Sequence, residues 1–142
     1  MKTLRIATLL LALCLASVEA RAHEWNQKTV SATAGELMKA LDALLADPNL
    51  DAQQATAMQQ REHEAAISTA RQVRGLLVEY KKRIDSGYSR DDSKPFWAQI
   101  DELRGDIQAY ARKSWLPPTT DRKADAVSAL FDQLAHYYPS DS

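Results

Sequence analysis

Residues 51–85, DAQQATAMQQREHEAAISTARQVRGLLVEYKKRID, hold no proline and a single glycine, and apolar or small side chains recur among them every three or four positions. A run of that kind reads as an amphipathic helix, and it sets the class of whatever packs against it. Its stripe is Ala55, Met58, Glu62, Ala66, Ala70, Val73, Leu77, Tyr80 and Ile84. As one element it is about 52 Å long, well beyond the usual three or four turns. Asn49 or Asp51 caps its start, Gly87 stops it, and Gly75 is the place where a bend is expected. Glu62 and Glu64 in its first half, with Lys81, Lys82 and Arg83 in its last turns, suit the helix dipole.

Three shorter helical patterns surround it. Thr33 and Glu36 have capping-box spacing ahead of a face made by Leu37, Leu41, Leu44 and Leu45, with Met38 at its edge. Asp47-Pro48-Asn49 ends that helix near residue 46, while residues 23–32 fit either a backward extension or a surface segment. Pro95 is placed at the first turn of a third helix whose stripe is Phe96, Ile100, Leu103, Ile107 and Tyr110, flanked by Trp97 and Trp115. Pro117-Pro118 ends it. Thr119 or Thr120 then caps a fourth, which runs through Val127, Leu130, Phe131, Leu134 and Tyr138 to Pro139. No strand-like alternation competes, so the expected fold is an all-α antiparallel up-and-down bundle of four helices around one long central helix, or five if Gly75 splits it.

The first twenty residues stand apart. Lys2 and Arg5 precede the apolar run IATLLLALCLA and a small-residue exit at Ala20. The run is too short to span a bilayer and reads as a secretory signal peptide, cleaved after Ala20 or Ala22, which leaves residues 23–142 as one domain in a periplasmic or secreted protein. The sole cysteine, Cys14, leaves with the leader, and Leu13 before it is larger than lipid attachment normally takes. Of 18 Lys and Arg and 19 Asp and Glu, the leader carries Lys2, Arg5 and Glu19, so the mature charge is 16 against 18, or −2. No cationic excess supports a nucleic-acid partner, and no later segment is apolar enough to cross a membrane.

Chemistry has few footholds. Cleavage after Ala20 makes His23 the third residue, where a free amine, two backbone amides and an imidazole can wrap Cu(II) in a square plane; cleavage after Ala22 makes it the first. In Arg61-Glu62-His63-Glu64 the spacing does not suit a bundle metal site, because glutamines 60 and 133 stand three residues before His63 and His136. A methionine in the first helix and a histidine late in the last resembles the cytochrome b562 arrangement, and Met38 and His136 hold those places. The helical wheel, however, turns His136 to water. No nucleophile elbow, phosphate loop or dinucleotide fingerprint occurs. The expected function is non-catalytic binding of another macromolecule, a protein or a second copy, with no cofactor. Trp25, Trp97 and Trp115 are candidate groove residues, and Leu77 and Tyr80 lie toward a projecting helix end that a partner would cover. The alternative is a metal- or haem-binding bundle.

Overall fold

From Ala57 to Asp85 the long pattern folds as one unbroken helix in the computed structural model, which describes residues 24–51 and 56–140, so that Ala55 of the stripe lies outside them. The leader, Cys14 and His23 lie outside the described residues. The helices are α1 (Gln27–Leu45), α2 (Ala57–Asp85), α3 (Arg90–Lys113) and α4 (Pro118–Ala135), and a 3-10 turn, Pro48–Asp51, follows α1. They form an all-α bundle in which α1 packs against α2 and α4, and α2 packs against α3. Every pairing is antiparallel. Asp42 meets Arg74, Tyr80 meets Trp97, Arg104 meets Asp132, and Trp25 meets Tyr137.

Local chemistry moves several expected boundaries. α1 starts six residues before the Thr33 cap read from sequence, because the Asn26 side chain accepts from the Thr29 amide at 3.0 Å. Thr33 is instead buried inside the helix, its hydroxyl donating to the Thr29 carbonyl. α2 is capped by Thr56 in a reciprocal capping box with Gln59, not by Asn49 or Asp51. Gly75 does not break it; the residue is exposed and a side chain there would meet nothing. α3 is capped by Ser89 with Asp92, which places Pro95 inside the helix rather than at its start. α4 begins behind Pro117 with no side-chain cap and ends at Ala135, three residues short of Tyr138.

The α2 terminus shows why Gly87 is where it is. The Tyr88 amide donates to the Arg83 carbonyl and the Gly87 amide to that of Ile84, a Schellman closure. Gly87 takes φ 103, which costs glycine little.

The core is Val30, Leu37, Leu41, Val73, Leu77, Tyr80, Ile84, Ile100, Phe131 and Leu134, joined by Trp97 and Tyr137. Along α2 the buried positions His63, Ala70, Leu77 and Ile84 recur every seven residues, with Val73 and Tyr80 between them. This is a heptad seam, so Glu62, on the stripe drawn from sequence, is exposed and His63 is buried in its place. Steps of four carry a stripe forward about 40° each, so the earlier half of the sequence stripe drifts off the buried line. Trp97, read as a flanking residue, is core at 4% exposure, while Phe96 sits at the rim under the Arg83 guanidinium, 4.1 Å from its ring centre.

Candidate functional site

Unequal helix lengths decide where surface is left uncovered. At 1.5 Å per residue α2 is about 43 Å long and α3 about 36 Å, against about 28 Å for α1 and 27 Å for α4. Asp42, one turn from the end of α1, already lies level with Arg74. The first turns of α2 therefore continue past the end of α1, alongside the end of α3. His63 and Tyr110 clasp this projecting hairpin, Nδ1 to phenol oxygen at 2.9 Å, with His63 only 6% exposed. The projection thus lies at the start of α2. Residues 76–84, expected to project, instead pack inside the bundle, and Leu77 and Tyr80 are fully buried.

Two structures close this end. The 3-10 turn brings in Leu50, and the connection after α3 brings in Leu116. A buried carboxylate fixes the first of them. Asp47, 4% exposed, accepts from the Asn49 amide at 2.9 Å, the Thr120 hydroxyl at 3.0 Å and the Lys123 ammonium at 3.1 Å. Those donors, the Asn49 amide foremost, hold its carboxyl below the usual carboxylate range. A depressed pKa stabilises the fold above the unfolded value of 3.8 and loses that contribution as pH falls through the folded value. Denaturant titrations at pH 6 and pH 3 are expected to show lower stability at pH 3, and a smaller difference between the two in Asp47→Asn. An unchanged pH response in the variant would contradict the lock.

Between the projecting hairpin and α4 lies an apolar cavity of about 350 Å³. Leu44 and Leu45 of α1, Ile67 of α2, Ile107 of α3, Leu116 of the connection after α3 and Phe131 of α4 form its walls. Arg104 bridges α3 to α4 at one margin, bonding Asp132 at 3.2 Å and Asp101 at 3.0 Å, with its guanidinium near the Phe131 ring. Beyond that bridge, Arg112 on α3 and Asp121 and Asp125 on α4 stand exposed around the opening. Tyr110, Leu50 and Leu116 border both this cavity and a smaller hollow lined by Gln59, Glu62, Lys113 and Trp115. Trp115 itself is 68% exposed, and Met58, one turn before Glu62, is 72% exposed.

The three tryptophans do not share a groove. Trp97 stacks on Tyr138 with ring centres 5.3 Å apart, and Trp25 meets Tyr137 and Tyr138 edge-on at 5.9 Å. Both belong to the packed end of the bundle, whereas Trp115 stands alone of the three at the other. The haem pair is likewise separated. Met38 is half-buried mid-way along α1, and His136 is exposed at the C-cap of α4, level with Trp25 and roughly three turns from Met38. Glu62 and Glu64 are exposed, and among the described residues no group of three histidine, cysteine or acidic side chains is placed to hold a metal ion.

His63 was missed because a polar residue interrupts an apolar stripe, although counting sevens back from Leu77 and Ala70 reaches it. The Asp47 lock and the Arg104 bridge join residues far apart in the chain, and nothing local marks them. No family model matches this chain, and no curated protein or solved structure resembles it.

Proposed function

We propose that the protein is an exported, non-catalytic helical bundle that acts by binding another protein, with the end bearing Trp115 as its working surface. The observation that carries this is the exposure of Trp115 on a short connection between two well-anchored helices. A large aromatic left in water forgoes burial that a partner supplies, and such residues concentrate binding energy at interfaces. The connection is held in place: the Ser114 hydroxyl donates to the Tyr110 carbonyl at 3.0 Å, and Pro117 and Pro118 follow Leu116. Little conformational freedom remains to be lost on binding. Met58, exposed at the same end, adds apolar area, and the nearly neutral charge favours a protein partner over nucleic acid.

The test is expression with the native leader, recovery from the exported fraction and measurement of the N-terminal mass. Cross-linking in envelope extract is then expected to yield one saturable protein complex. With the partner purified, Trp115→Ala is expected to weaken binding by about tenfold or more, leaving the circular dichroism unchanged. Retention of the full leader inside the cell would defeat the export half of the proposal. Equal binding by wild type and variant would defeat the assigned surface.

A further inference from the structure

We infer that the cavity between α3 and α4 is a binding site for a small, uncharged, apolar molecule, a role separate from protein docking at Trp115. Its size is the first reason. A dry engineered cavity of about 150 Å³ holds benzene, and pockets for small molecules begin at about 300 Å³, so 350 Å³ suits a bicyclic aromatic or a medium-length alkyl chain.

The polar groups of the wall supply the second reason. Tyr110 is already bonded to His63, and Arg104 is bonded to Asp101 and Asp132. Neither is held open for a charged head. Arg112, Asp121 and Asp125 all border the cavity, so both signs are present and an ion of either sign meets a like charge. Gln108 and Ser128 remain as uncharged partners, suited to a hydroxyl or to no polar group at all.

The third reason lies in the architecture. α1 ends where the α2–α3 hairpin continues, so the space arises from helix lengths and not from one missing side chain. The Asp47 lock holds the turn that carries Leu50 and the His63–Tyr110 clasp holds Tyr110, both wall residues, which gives a preformed site.

Naphthalene and 1-octanol are the neutral probes; octanoate and octylammonium are the charged ones. Calorimetric titration of the whole mature protein is expected to show one saturable site for each neutral probe and at least roughly tenfold weaker binding of both charged probes. Ala66→Phe and Ala124→Leu fill the cavity from α2 and α4, and each is expected to abolish binding while retaining helical circular dichroism. Should neither variant fold, chemical-shift changes in wild type decide the matter, and they are expected at Ile67 and Ile107. Absence of saturable binding by the neutral probes overturns the site, as does undiminished binding in a folded, filled variant. Tighter binding of octanoate or octylammonium overturns the assigned ligand class.

Discussion

Leu77→Asp is expected to leave the chain without a folded state. Leu77 is fully buried at the centre of the heptad seam, between Val73 and Tyr80 and among the core side chains of the bundle. Truncating a buried leucine costs about 2–5 kcal/mol, and burying an unpaired carboxylate adds several more. The sum reaches the whole stability of a typical domain, about 5–15 kcal/mol. Far-ultraviolet circular dichroism should fall to that of an unfolded chain. Leu77→Ala, which leaves only a cavity, should retain helicity and lose about 2–5 kcal/mol in denaturant titration. A Leu77→Asp protein with native helicity and unchanged melting would mean that the α2 seam is misplaced.

Tyr138→Ala has the second largest expected effect, because one ring ties the segment after α4 to α2, to α3 and to the segment ahead of α1. Tyr138 stacks on Trp97 of α3 and meets Trp25 ahead of α1, and its hydroxyl lies 2.6 Å from that of Tyr80 on α2. It also lies 2.7 Å from the Ser93 hydroxyl. The donors can be ordered, since Ser93 gives its proton to the Arg90 carbonyl at 3.0 Å. Tyr138 therefore donates to Ser93, and Tyr80 donates to Tyr138. Burial holds the Tyr80 and Tyr138 phenols above their ordinary pKa, so the chain of protons stays intact across the neutral range. Removing the ring leaves a void beside Trp97 and a fully buried Tyr80 hydroxyl without its acceptor, a loss of about 3–5 kcal/mol. Tyr138→Phe keeps the ring and should lose about 1–2 kcal/mol. Equal stability of the two variants would show that the hydroxyl chain, and not the ring packing, anchors this end.

The fold class was legible because leucine, valine and aromatic spacing carries the helical period. Leu37, Leu41, Val73, Leu77, Ile100, Phe131 and Leu134 are read correctly as core from that period alone. Boundaries were less legible, for a physical reason: several residues can cap, and packing chooses between them. Thr33 has a good capping-box partner in Glu36, yet Asn26 caps and Thr33 is buried, because residues 27–32 gain contacts by remaining helical. Pro95 looks like a helix start, but Ser89 and Asp92 together satisfy two orphan amides and carry the helix start back to Arg90. The site was the least legible part. Trp115 and Trp97 are alike in sequence, and only the arrangement of the chain in space puts one in solvent and the other against Tyr138. The cavity follows from four helix lengths taken together, and from sequence the start of α1 stays open between Thr33 and a backward extension while that of α2 falls too early.

Under the proposed function the two ends of the bundle have different work: the Tyr138 end holds the molecule together and the Trp115 end meets a partner. Fluorine magnetic resonance of protein labelled with fluorotryptophan tests it most directly, since Trp25, Trp97 and Trp115 are the three tryptophans and Trp115→Phe assigns one line. The account predicts one solvent-exposed line from Trp115 that broadens saturably when envelope extract is added, while the Trp97 line stays in place. Three lines that ignore the extract, or a Trp97 line that moves while Trp115 does not, would contradict it.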